Sequence, residues 1–169
     1  VRLSGYPQAN EQGEATLRYN LSASASMDAN QARAAVLAAE KEHGVRRSWL
    51  WSTMGRSPLA AALAPLSRMA ELSTVAPIGA TPAELAASYR QSGWQVDEAA
   101  INALACVQTK ADVDAVSAVL RALYLPWLEE VAKRFQDAAR AAGGLPSLLD
   151  GENASADELG VCTVFVDGL

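Results

Sequence analysis

The chain has 169 residues, half of them hydrophobic and 20% charged, with a formal net charge of -5. That is enough for one packed domain and part of a second, and the acidic balance disfavours non-specific nucleic-acid binding. No apolar stretch reaches the roughly 18 residues of a membrane span, and Val1-Arg2-Leu3-Ser4-Gly5-Tyr6-Pro7 lacks signal-peptide anatomy, so a soluble, cytoplasmic protein without a membrane partner is expected.

Residues 1–13 carry Gly, Pro, Asn and Gln without apolar periodicity and read as a loop. From Ala15 to Ser26 the pattern is ambiguous. Leu17, Tyr19 and Leu21 alternate as in a strand, whereas Leu17, Leu21 and Ala25 recur as in a helix. Residues 1–27 together are therefore expected to be a loop or a truncated lead-in. Helical signals then follow in series. Asp28 with Gln31 three residues on is an N-cap, and the Ala-rich run after it ends at Gly44, a common C′ residue. His43, just before that glycine, is expected to meet the last free carbonyls of the helix rather than a metal. Val45 to Gly55 is a short amphipathic piece. Ser57-Pro58 opens a helix to about Leu72, which Pro65 should end or kink near Ala64.

Thr81-Pro82-Ala83-Glu84 is a capping box that starts a helix to Gly93. Asp97-Glu98 starts another to about Gln108, and Asp112 a third through Val113, Val116, Val119, Leu120 and Leu123. Leu125-Pro126 is expected to break the chain, after which Trp127, Leu128, Val131, Phe135 and Ala139 form an apolar stripe to Gly143-Gly144. The expectation is an all-α, multi-helix bundle with short loops over 28–144, of six or seven helices without a fixed repeat period. Residues 145–160 are polar and acidic and read as a linker.

Residues 161–169, Val-Cys-Thr-Val-Phe-Val-Asp-Gly-Leu, read as a buried strand ending in Asp167-Gly168. An Asp at the C-terminal tip of such a strand sits where open α/β sheets hold ligand and catalytic groups, and the chain then reads as a fragment whose main chemistry lies beyond Leu169. An Asp-Gly pair is equally a hairpin-turn signal, or the polar tip of a strand that finishes a sheet.

Phosphate loops, the nucleophile elbow and the His-Glu-x-x-His pattern are missing from the sequence. Asp150-Gly151-Glu152 imitates a calcium loop only superficially, because the glycine such a loop requires at its sixth position is Ser155. One His and two Cys would all be needed, with a carboxylate, for a His/Cys zinc site, and Cys106 and Cys162 read as small buried hydrophobes. Arg46, Arg47, Trp49, Trp51 and Arg56 concentrate positive charge and aromatic surface within eleven positions. They could bind a phosphate, a nucleic-acid strand or an acidic partner. Alternatively the indoles anchor the core while the arginines pair the surplus Glu and Asp, and composition favours this second reading.

The stretch from His43 through Arg46-Arg47-Ser48-Trp49-Leu50-Trp51, then Met54 to Ala60, Gly93-Trp94, Leu123-Tyr124-Leu125-Pro126-Trp127-Leu128-Glu129 and Val164 to Leu169, resembles the helical region that precedes the phosphatase core of PglZ-domain proteins. Those belong to bacteriophage-exclusion (BREX) phage-defence systems. The resemblance runs from about residue 14 to the end and rests on the order of several motifs. It implies that the last strand opens an alkaline-phosphatase-like core in the parent, with Asp167 as a ligand to one of two divalent metals, commonly zinc. The nucleophile and the other ligands would follow later, so the fragment itself is expected to be non-catalytic while its parent is a metal-dependent phosphohydrolase or phosphodiesterase. Partners implied are other defence components or the rest of the same chain. The alternative is a stand-alone helical protein-interaction module that docks through the Arg46–Arg56 patch or the Trp127 stripe.

Overall fold

The computed structural model describes residues 6–144, the side chain of Tyr6 excepted, and every regular element within them is helical. In chain order they are α1 (Tyr6–Ala23), a 3-10 turn (Ser24–Ser26), α2 (Ala29–His43), a 3-10 turn (Gly44–Ser48), α3 (Leu50–Thr53) and α4 (Pro58–Leu72). There follow α5 (Pro82–Ser88), a π-wound turn (Tyr89–Gly93), α6 (Trp94–Ala105) and α7 (Lys110–Ala141). The bundle expected over 28–144 is thus present. The expected linker at 145–160, the strand at 161–166, Cys162 and Asp167 lie outside the described residues.

The lead-in expected over 1–27 is corrected, because α1 occupies most of it. Its buried stripe is Asn10, Glu14, Leu17, Leu21, a spacing of four, three and four. Half of that stripe is polar. A search for apolar periodicity therefore sees only its second half and finds a strand as plausible as a helix.

The caps read at Asp28 and Thr81 are formed, whereas Ser57, also an expected N-cap, makes no side-chain hydrogen bond to its helix. Asp28 accepts from the backbone N–H of Asn30 and Gln31, and Gln31 reaches back to the Asp28 N–H. Thr81 and Glu84 make the same reciprocal pair at α5. Gly44, by contrast, is not a left-handed C′ residue: its φ of -58° is right-handed and carries α2 directly into the 3-10 turn. Gly93 likewise does not stop its helix. The chain passes through it at φ -60° and, by way of the π-wound turn, α5 runs on into α6. A π turn absorbs one extra residue. Eight positions across it then act as about seven α-helical steps of about 100° each, so Tyr89 and Asp97 fall on one face.

Neither internal proline ends its helix, which corrects the break expected at Leu125-Pro126 and the end, though not the kink, expected near Ala64. α4 runs unbroken through Pro65 and α7 through Pro126. An interior proline costs about 3 kcal/mol, whereas each large apolar side chain fully buried contributes about 1.5–3 kcal/mol. Pro65 is flanked by Leu59, Leu63, Leu66 and Met69, all fully buried, and Pro126 by the buried Leu123 and Trp127. The Trp127 indole also donates to the Val75 carbonyl at 3.0 Å, tying α7 to the loop before α5 just past its proline. Packing on both sides outweighs the missing hydrogen bond.

α4 is the hub. It lies against α6, α2, α1 and α7, and its C-terminal carbonyls are held by Arg33 of α2, whose Nε donates to Ala70 at 2.7 Å. Around it pack Leu17 and Leu21 of α1, Val36 of α2, Val96 and Ala103 of α6, and Val116, Val119 and Leu123 of α7. α4 and α6 bury Ala60, Ala62 and Ala70, and Ala99, Ala100 and Ala103, small side chains that let two helices approach closely.

Pro126 is solvent-exposed, so Pro126→Ala should restore an N–H to the α7 ladder without disturbing the core. We expect the variant to be more stable by about 1–3 kcal/mol in urea denaturation. Unchanged or lower stability would mean that the proline is needed by the packing.

Candidate functional site

The positive and aromatic cluster divides in two. Arg46, in the 3-10 turn after α2, is 3% exposed. Its Nη2 donates to the Asn10 carbonyl, to Asn10 Oδ1 and to Glu14 Oε1, each at 2.8 Å, and its guanidinium lies 5.8 Å from the centre of the Trp49 ring. Its Nε and Nη1 are buried without a hydrogen-bond acceptor, and the cation–π contact with the indole face is the attraction available to that side of the group. A Cβ at Gly13 would sit 2.6 Å from the Arg46 Cζ. Glycine at that point in α1 is what leaves room for the guanidinium.

Glu14 completes the cluster. The N-cap residue of α4, Ser57, makes no side-chain cap, and its hydroxyl donates instead to Asn10 Oδ1 at 2.8 Å. The free N–H groups of Leu59 and Ala60 donate to the two Glu14 oxygens at 2.8 and 3.3 Å. A carboxylate from α1 thus occupies the anion site at the start of α4. Arg47 is equally committed. Both its terminal nitrogens donate to the Glu40 carboxylate, one of them also to the Ala60 carbonyl at 3.2 Å, and the Glu40 hydrogen bond outweighs burial in holding its pKa above the ordinary value. Arg46 and Arg47 are thus paired with carboxylates of α1 and α2, while the Trp49 and Trp51 rings beside them are partly buried.

Arg56, Trp51 and their neighbours are different. They line an open groove of about 600 Å³ whose other wall is one stripe of α1: Pro7, Asn10, Glu11, Glu14 and Arg18. Arg56 is exposed and its side chain has no ion pair among the described residues, although its carbonyl accepts from Asn10 Nδ2 at 2.7 Å. Arg18 spends Nε on the buried Asp112 at 2.7 Å. Asp112 in turn accepts from Thr109, the N-cap of α7. Around α3 and the turn before it, Val45, Leu50 and Met54 are each more than half exposed. The groove itself is mixed in charge, with Trp51 and Met54 as apolar lining opposite α1.

A third polar cluster escaped the sequence reading. The Asp97 carboxylate accepts from both the Tyr89 and Tyr124 hydroxyls, the latter at 2.7 Å, joining α6, the π-wound turn and α7. Tyr89 is pushed up to about 12, first by the Asp97 hydrogen bond and then by burial. Tyr124 is also raised, chiefly by burial and then by Asp97. No sequence signal joins these residues, because only the π turn brings Tyr89 and Asp97 onto one face.

His43 is buried, and its Nε2 has no hydrogen-bond partner, lying 3.6 Å from Glu42. That nitrogen makes none of the expected contacts to the last carbonyls. Cys106 is a partly buried free thiol just past α6, its pKa raised by burial. Among the described residues no group of three or more His, Cys, Asp or Glu is placed to hold a metal ion, and no helix is long and apolar enough to cross a membrane. The chain matches no protein-family model, no curated protein and no solved structure.

Glu14→Gln keeps an amide oxygen for the start of α4 but leaves Arg46 a buried cation without its counter-charge, which should cost about 3–5 kcal/mol. Adding Arg46→Met should recover part of that loss. Urea denaturation of the two single variants and the double variant reads both effects, and independent, additive losses would refute the coupling. The tyrosine pair sets an alkaline limit. A carboxylate accepts only from a neutral phenol, so this contribution is complete below the ordinary tyrosine value of about 10 and is lost as pH rises through about 12. The thermal midpoint should fall across that window, and less steeply in a Tyr89→Phe, Tyr124→Phe variant; equal slopes would refute it.

Proposed function

We propose that the chain is a helical docking module of a phage-defence protein of the PglZ type, non-catalytic in itself, preceding an alkaline-phosphatase-like core in which Asp167 is a divalent-metal ligand. The ordered likeness of the His43–Trp51, Met54–Ala60, Leu123–Glu129 and Val164–Leu169 stretches supports the setting. In this reading zinc and phosphoester chemistry belong to the parent's core, and the module works in the cytoplasm by holding other defence components or the remainder of its own chain.

One observation carries the docking role: the α1–α3 groove joins Trp51 and the exposed Met54 to an uncommitted Arg56, while Arg46 and Arg47 are locked into the fold. Aromatic, Met and Arg side chains around a concave surface suit a protein partner. A strand of nucleic acid would want a continuous cationic face, and here Glu11 and Glu14 interrupt it.

A photo-crosslinking residue at Met54 should capture a discrete protein partner from cells expressing the parent, and the same residue at the exposed Ala87 should not. Identical products at both positions, or crosslinks to nucleic acid, would sink the docking face. The non-catalytic reading has its own test. The isolated chain should hydrolyse no generic phosphoester and bind zinc no better than Asp167→Ala, because one carboxylate cannot supply the three or four protein ligands zinc requires. Metal-dependent turnover abolished by that substitution would overturn it.

A further inference from the structure

The second half of α7 carries Leu128, Val131, Ala132 and Phe135, the last three at three, four and seven positions from the first, a spacing that puts them on one helix face. That face and Pro77, Leu85 and Tyr89 opposite it enclose a groove of about 420 Å³, within the range of about 300–1,000 Å³ of small-molecule sites. From Leu128 to Phe135 it extends about 10 Å along the helix axis.

Polar contacts hold the two walls together. The Asp97 carboxylate accepts from Tyr89 on one wall and from Tyr124, one turn before Leu128, on the other. The Trp127 indole donates to the Val75 carbonyl at 3.0 Å and Arg134 Nη1 to the Pro77 carbonyl at 3.5 Å, tying the loop before α5 to α7 at two points. A Cβ at Gly93 would lie 2.7 Å from the Tyr89 ring and 3.3 Å from Pro77, so glycine in the π-wound turn is what lets that wall close up. The groups that frame the groove are thereby spent on one another. Arg90 is not: it lines the groove, is exposed and has no hydrogen bond or ion pair among the described residues. Among those residues no acidic side chain lines the groove, and Glu130 of the same stretch of α7 is paired with Arg134 at 2.6 Å.

We propose that this groove binds a medium-chain aliphatic carboxylate, its alkyl chain lying along Leu128, Val131 and Phe135 and its head group meeting the Arg90 guanidinium. Charge complementarity selects the head group. In a chain of net charge -5 the groove presents an unpaired cation and, among the described residues, no acid, and a guanidinium can fork onto a carboxylate through two parallel hydrogen bonds. The apolar walls select the tail, because affinity rises with the apolar area removed from water. Size excludes a folded partner: the groove spans two helical turns, whereas each side of a stable protein interface covers about 800 Å². Walls already pinned by Asp97, Trp127 and Arg134 need little reordering to receive a ligand. The site is independent of the docking role proposed above for the α1–α3 groove.

Titration of the full-length chain with decanoate, 1-decanol and decyltrimethylammonium, each kept below micelle formation, tests the proposal by calorimetry and methyl NMR. Decanoate should bind saturably at one site per chain and move the Leu85, Leu128 and Val131 methyls; decanol should bind more weakly, and the cation most weakly of the three. Arg90→Gln should weaken decanoate about fivefold and leave decanol unchanged. Ala132 is exposed, so Ala132→Trp should fill the groove without disturbing the core, leaving the melting midpoint nearly unchanged while abolishing binding of all three. Absence of saturable decanoate binding, equal affinity for the three head groups, shifts centred outside the groove, or an Arg90→Gln chain that binds decanoate as tightly as the unsubstituted one would each overturn the proposal. So would intermolecular methyl contacts across the groove in the free chain, which would make a second copy its occupant.

Discussion

The carboxylate of Glu14 is the constraint around which the rest of the bundle is arranged. It leaves α1, reaches the unsatisfied N–H groups at the start of α4 and meets the guanidinium of Arg46 arriving from the turn after α2. Three segments far apart in sequence are thereby fixed at one point. α4 is the helix against which most of the others pack, so fixing its start fixes the register of the core. The arrangement also removes ordinary roles from its neighbours: Ser57 need not cap its own helix, and Gly13 is held small by the cation beside it.

The same device recurs at two further junctions. Asp112 sits at the start of α7, fully buried, and takes Arg18 from α1; Asp97 takes two tyrosine hydroxyls, one from the π-wound turn and one from α7. A buried ion pair adds little net stability over a well-packed apolar pair, because desolvation offsets most of the attraction. What these pairs supply is selection among packings. Alanine-rich helices such as α2 and α6 could slide against α4 with little change in apolar contact. A one-turn slip, however, would strand a carboxylate or a guanidinium in the interior at a cost of several kcal/mol.

This polar framework also determines which surfaces remain for other work. Arg46 and Arg47 are spent on it. Arg56, Trp51 and the exposed Met54 stay open beside α1, and the apolar stripe of α7 stays open beside α5. The two grooves are chemically unlike, one of mixed charge with Trp51 and Met54 in its lining and the other almost wholly apolar, and they suit different occupants.

Sequence alone determined the helical class, the caps at Asp28 and Thr81 and the start at Ser57-Pro58, because a cap needs only residues three or four apart in the chain. An acidic chain supplies carboxylates for its arginines, but which ones meet Arg46 and Arg47 was fixed by the fold, through Glu14 of α1 and Glu40 of α2. Tertiary structure decided the rest. α1 is a helix because Asn10 and Glu14 are buried through partners 32 to 47 positions away, a reason invisible to apolar periodicity. Pro65 and Pro126 are tolerated because distant side chains hold both sides of each helix. Gly93 passes through a π turn because Tyr89 must reach Asp97, and Tyr124 joins them from another helix. Local signals name the elements; which charges can be buried, and therefore how the elements meet, depends on residues that come together only once the chain has folded.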